Sequence, residues 1–101
     1  MKRAIGSSLF LVALFASAGA RADTLGDAFQ RANQAFLARD DATAIVGYRW
    51  LIDSGVDDAE VYYNLATAYG RTGKLGRAIQ FYERVLRLRP GDDDARQALA
   101  A

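Results

Sequence analysis

The chain has 101 residues, 51% of them hydrophobic and 25% charged, which allows one small domain. It contains no Cys and no His, so a disulfide framework, a thiolate metal site, the commonest general base and the commonest neutral metal ligand are all excluded. Thirteen basic residues against twelve acidic ones give a net charge of +1, which implies no polyanion partner, nucleic acid included.

Lys2 and Arg3 precede an apolar run from Leu9 to Ala16, and Ala20-Arg21-Ala22 is a small-x-small pattern. This is the layout of a secretory signal peptide, residues 1–22, with a mature chain beginning at Asp23. An uncleaved anchor competes with it, because the run from Ala4 to Ala20 is uncharged and just reaches the lower edge of a bilayer span. Gly6, Ser7, Ser8, Ser17 and Gly19 dilute both ends of that run and favour cleavage. No Cys follows the cleavage point, so lipoprotein processing is excluded. Export in a bacterium implies the periplasm. Without residues 1–22, ten basic residues face twelve acidic ones, and the net charge becomes −2.

Asp23 or Thr24 can cap a first helix. From Leu25 to Ala38, the residues Ala28, Phe29, Ala32, Phe36 and Leu37 fall on one helical face. Arg39-Asp40-Asp41 breaks that pattern. A second helix spans about Ala42 to Ser54, with Ala44, Ile45, Tyr48, Leu51 and Ile52 on one face, and Gly55 is its expected stop. A third helix begins at Ala59 and buries Tyr62, Leu65, Ala66 and Tyr69. Gly73, in the turn Arg71-Thr72-Gly73-Lys74, suits a left-handed helix end. The fourth helix presents Ala78, Ile79, Tyr82, Val85 and Leu86, and Pro90-Gly91 ends it. Small Ala66 and Ala78 let the two helices approach. Asp92, Asp93 and Asp94 precede a short last helix and suit its N-terminal dipole.

The stretch 59–92 resembles one unit of the tetratricopeptide repeat (TPR) family, in length as well as in pattern. Tyr62 stands at the usual Trp, Leu65 at the Leu and Ala66 at the Gly. Tyr69 stands at the Tyr, Ala78 at the central Ala, Tyr82 at the aromatic after it and Pro90 at the terminal Pro; Val85 replaces a second Ala. Shifted back by one repeat, Ala44, Tyr48 and Leu51 fall where Ala78, Tyr82 and Val85 fall, so residues 25–58 read as a degenerate first repeat. Arg31 then takes the place of Leu65, and Ala35 that of Tyr69, unless a turn one residue shorter brings Phe36 there. The phrases Val61-Tyr62-Tyr63-Asn64-Leu65-Ala66 and Leu75-Gly76-Arg77-Ala78-Ile79 are also similar to the TPR segment of Bat-type aerotolerance proteins. The longer members of that group carry membrane helices and an SH3-like domain that this sequence lacks.

The expected fold is therefore all-α: a TPR-like helical-hairpin solenoid over residues 23–101, with about two repeats and a capping helix at 93–101. Such hairpins gain stability from their neighbours, and a short array is marginal, so a second copy or a partner has a face to cover. The resemblance implies that the first helix of each repeat lines a groove for an extended peptide or a partner helix. Here that places Glu60, Tyr63, Asn64, Thr67, Gly70 and Arg71 on the groove, with Asn64 positioned to bond a ligand backbone. The carboxylate-clamp form of the groove is disfavoured, because Gln30 and Gln97 are not cationic.

Nothing in the sequence carries catalytic or cofactor chemistry. Without His, the lone mature Ser, Ser54, cannot join a Ser-His-acid triad. Asp92-Asp93-Asp94 lacks the alternate spacing of a calcium loop, and Gly70, Gly73 and Gly76 lack the strand and Lys-Ser/Thr of a phosphate loop. The expected function is an exported protein–protein interaction module, neither an enzyme nor a cofactor carrier. A periplasmic binder of a small ligand or cell-wall fragment is the alternative. Charge is split: Arg71, Lys74, Arg77, Arg84, Arg87 and Arg89 stand against Glu83, and Asp40, Asp41, Asp53, Asp57, Asp58 and Glu60 stand against Arg49. This split raises the prospect of a homo-oligomer in which unlike halves meet. Trp50 either faces outward as an interface anchor or packs under the first helix.

Overall fold

The computed structural model describes residues 24–101; the expected leader and its cleavage point lie outside them. Five helices follow one another, here numbered α1 (Leu25–Leu37), α2 (Asp41–Asp53), α3 (Ala59–Arg71), α4 (Leu75–Leu88) and α5 (Asp93–Ala100). The described residues contain no strand. Each helix packs on the next in sequence, giving two stacked hairpins with a final helix laid on the second.

Side-chain caps set the helix starts. Thr24 accepts from the Asp27 N–H at 3.0 Å, and Asp27 accepts from the Thr24 N–H at 3.3 Å, a reciprocal capping box. Asp58 accepts from Val61 N–H at 3.0 Å and Asp92 from Ala95 N–H at 2.9 Å. Thr24, Asp58 and Asp92 are spaced by one repeat each, so α5 begins where a third repeat would begin. Asp40 caps α2 through the Thr43 N–H at 3.3 Å, whereas Lys74, its counterpart, gives α4 no side-chain cap.

The same period governs the turns. Arg39 has φ 62° and Gly73 has φ 79°, both left-handed and one repeat apart. The first turn is therefore as long as the second, Ala35 takes the place of Tyr69, and Phe36 does not. Gly73 adopts this backbone without a Cβ penalty, whereas Arg39 carries one. Gly55, with φ 101°, ends α2 as expected.

The core runs along α3. Val61, Tyr62, Leu65, Ala66, Ala68 and Tyr69 are all buried, some facing α2 and some α4. From α2 come Ala44, Tyr48 and Leu51; from α4 come Ala78, Phe81 and Val85. Phe81 stacks between Tyr62 and Tyr69, with centroids 6.1 and 5.9 Å away. Two residues expected on apolar faces lie outside. Ile79 is 49% exposed, because the buried face of α4 is centred on Ala78, Phe81 and Val85 and Ile79 sits one step off it; the sequence pattern passes over Phe81. Leu37 is 79% exposed at the last position of α1. Arg31, in the place of Leu65, is exposed, since α1 packs chiefly on α2 among the described residues.

The two hairpins close by different means. A Cβ built on Gly47 would meet the Ala32 Cβ at 2.8 Å, so α1 and α2 touch where only glycine fits. At the α3–α4 crossing, a Cβ built on Gly70 would meet the Ala78 Cβ at 3.9 Å, an ordinary contact. In urea denaturation, Gly47→Val should cost about 1–3 kcal/mol by overpacking. Arg39→Gly should instead stabilise by up to about 1 kcal/mol by relieving the left-handed position.

Candidate interaction surfaces

Helix α3 turns one face away from the core. Glu60, Tyr63, Asn64, Thr67 and Arg71 follow one another at helical spacing along it. Four of the five also have internal partners. Asn64 donates through Nδ2 to the Tyr48 hydroxyl at 3.1 Å, and that hydroxyl donates to Asn33 Oδ1. One phenol thus ties α1, α2 and α3 together. Burial pushes the Tyr48 phenol above its ordinary range, partly opposed by the Asn64 bond, so it is neutral at physiological pH.

The second repeat reproduces half of this arrangement. Thr67 stands one repeat after Asn33, and its Oγ1 lies 2.8 Å from the Tyr82 hydroxyl, as Asn33 bonds Tyr48. One repeat after Asn64 comes Ala98, so no amide from α5 completes the set. Thr67 also donates to the Tyr63 carbonyl at 2.9 Å. Tyr63 is half-buried, its ring edge-on to Tyr82 at 5.5 Å. Arg71 reaches back to the first repeat. Its Nη1 lies 3.3 Å from Asp41 Oδ1, and its guanidinium sits 4.5 Å over the Phe36 ring. Glu60 is exposed and has no hydrogen-bond or ion-pair partner among the described residues.

Between the starts of α3 and α5 lies a recess of about 180 Å³ lined by Ala59, Glu60, Tyr63, Arg89, Asp92 and Asp94. Burial, and then the neighbouring Tyr82, Asp94 and Asp92, push the Tyr63 phenol up. It therefore stays neutral, able both to donate and to accept.

A second cluster, between α2 and α4, is basic. Arg49 donates to the Tyr69 hydroxyl at 2.8 Å and Arg77 donates to the same oxygen at 3.4 Å. Burial pushes the Tyr69 phenol up, but the Arg49 and Arg77 bonds and charges outweigh it, leaving the phenol below its ordinary range. Arg84 stacks over Phe81 at 4.9 Å and Tyr62 at 5.6 Å. Sequence reasoning misses this cluster. Tyr69 reads there as core, and Arg49 as a lone base in an acidic stretch. Trp50 faces outward, 48% exposed.

Comparison with known families matches residues 59–92, the span of α3, α4 and the Pro90 turn, to the tetratricopeptide repeat. Residues 59–92 are a tetratricopeptide repeat. Around this TPR, the helices α1 and α2 repeat its register with the same turn length, and α5 opens in the same register. The all-α, TPR-like hairpin arrangement expected from the sequence is the fold observed. A TPR suggests a protein–protein interaction module. No curated protein matches the chain.

The Tyr48 hydroxyl serves two side chains from two helices. Tyr48→Phe should therefore cost about 0.5–1.5 kcal/mol in a denaturant titration. Tyr82→Phe should cost less, because Thr67 keeps its bond to the Tyr63 carbonyl.

Proposed function

We propose that the chain is an exported interaction module that holds an extended peptide or a partner helix against the open face of α3. The observation that carries this reading is the setting of Tyr63. Its ring is braced by Tyr82, and beside it lies a recess that offers the carboxylates of Glu60, Asp92 and Asp94 and the guanidinium of Arg89. A braced aromatic with a polar rim is the composition of an interface anchor: large contact area, little rotamer entropy to lose, and hydrogen-bonding groups around it.

The other residues of the face act in graded ways. Asn64 spends one N–H on Tyr48, while its carbonyl accepts nothing among the described residues. That carbonyl can take a backbone N–H from a partner. Thr67 and Arg71 chiefly shape the floor, Thr67 by fixing Tyr82 and Arg71 by tying α3 to Phe36 and Asp41. Glu60 selects partners by charge at the rim. Export is supported by residues 1–22, whose basic start, apolar run and Ala20-Arg21-Ala22 end follow the signal-peptide layout.

The test is capture of periplasmic proteins by the immobilised mature domain. Tyr63→Ala should reduce capture about tenfold while the domain stays folded, since a truncated anchor typically costs more than about 1 kcal/mol of binding. Leu65→Ala should lower stability by about 2–5 kcal/mol and lose capture only where the domain melts. Protein recovered from the periplasmic fraction should begin at Asp23. Undiminished capture by folded Tyr63→Ala would move the partner off this face, and an intact Met1 terminus in the membrane fraction would contradict export of a cleaved chain.

A further inference from the structure

The two charge groups that the sequence separates fare differently in the fold. The acids are largely committed. Asp40 and Asp58 cap helices, Asp41 pairs with Arg71, and Asp57 accepts from the Tyr62 hydroxyl. The arginines of the α2–α4 side are not. Unlike Arg71, the residues Arg49, Arg77 and Arg84 have no described carboxylate within ion-pair distance. Arg77 and Arg84 lie over aromatic rings, 5.6 Å from Tyr69 and 4.9 Å from Phe81. Stacking holds a guanidinium by its face and leaves its N–H edge for an anion.

Arg49 and Arg77 converge on a single phenol oxygen, which brings two like charges close to each other. The Tyr69 hydroxyl accepts from both, and its own hydrogen has no acceptor among the described residues. An oxyanion placed here meets two guanidiniums at once, held side by side by the buried Tyr69 hydroxyl. The depressed Tyr69 phenol is the signature of the same positive field. The cluster is not part of the repeat. One repeat away from Arg49, Tyr69 and Arg77 stand Glu83, Ala35 and Thr43, so the hairpin folds without it.

Arg49, Arg77 and Arg84 line a recess of about 320 Å³, and Arg84 also lines a second recess of about 390 Å³ that carries Arg87. The donors therefore extend along α4 in a strip. A strip suits an extended run of carboxylates better than a single small anion. Nucleic acid fits it poorly, because Tyr62, Tyr69 and Phe81 are buried and two of the three already carry Arg84, leaving no open ring for a base. A second copy fits less well, because its longest run of acids, Asp92-Asp93-Asp94, is three residues long and Asp92 caps α5.

We propose that the strip formed by Arg49, Arg77, Arg84 and Arg87 is a docking site for an acidic segment of a protein partner, a Glu- and Asp-rich stretch lying along α4 on the side away from Tyr63. This rests on the reading of the chain as an interaction module but not on the α3 face, and the two fail separately. Asp53 and Asp57, which themselves line the two recesses, set the register by repelling acids that fall beside them.

The experiment is fluorescence anisotropy of the mature domain with a labelled peptide of alternating Glu and Ser. Binding should weaken at least about tenfold in Arg49→Gln/Arg77→Gln, and fall steeply with added salt. Lys74→Gln, a loss of charge outside the strip, should leave it nearly unchanged, as should Tyr63→Ala. A peptide with Gln in place of Glu should not bind, which tests the site even where an Arg variant unfolds. Four results would overturn the proposal: no binding at low salt, equal losses from Lys74→Gln and the double Arg variant, tighter binding of a single-stranded oligonucleotide of the same charge, or a dimer of the chain alone that the double Arg variant dissociates.

Discussion

Helix α3 is covered from two sides, and the rest of the fold depends on that. A helical hairpin buries one stripe of each helix and leaves the other to a neighbour. In this molecule α3 receives α2 on one flank and α4 on the other, and seven of its residues are buried. Tyr69, for one, takes the Arg49 guanidinium from α2 and stacks on Phe81 of α4. A change at Leu65 or Tyr69 is thus felt in both hairpins. The outer helices have no such support: α1 buries only Ala28 and Ala32, and α5 only Ala95. The small size of those side chains suits helices that each pack mainly on one neighbour among the described residues.

Polar groups then decide how the hairpins are joined. The caps work locally, closing helix starts once per repeat through Thr24, Asp58 and Asp92. The hydroxyls and amides work across helices, with Tyr48 linking Asn33 to Asn64. The arginines work through rings, over Phe36, Tyr69, Tyr62 and Phe81. Most of the acidic charge between Asp40 and Asp58 is taken up by the backbone, by a hydroxyl and by Arg71, so the surface that remains is more basic on one side than the net charge suggests. Two faces with different chemistry result: an aromatic one on α3 and a guanidinium one between α2 and α4.

Much of this was legible in the sequence. The repeat spacing, Gly73 and Pro90 identify the second hairpin, because turn residues and small crossing residues leave marks at fixed positions. The first hairpin was harder. Its turn uses Arg39 where glycine is usual, and its close contact comes from Gly47, which the helical-face pattern passes over. Exposure of Ile79 and burial of Phe81 depend on where the centre of the α4 stripe falls, and a shift of one residue is within the slack of a short pattern. On the candidate face, Glu60, Tyr63, Asn64, Thr67 and Arg71 were placed together by spacing, and they do share one side of α3. What spacing cannot show is that Asn64, Thr67 and Arg71 already hold partners on other helices. The meeting of Arg49 with Arg77 at Tyr69 left no trace, because it joins residues 20 and 8 positions apart whose types each have an ordinary reading.

Amide hydrogen exchange of the mature domain tests the shared role of α3 most directly. The slowest amides should lie in α3 and in the parts of α2 and α4 that face it, with α1 and α5 opening first at much lower free energy. Leu65→Ala should then speed exchange in α2 and α4 alike. Exchange that divides the chain into two independent hairpins, with α2 untouched by Leu65→Ala, would contradict the account.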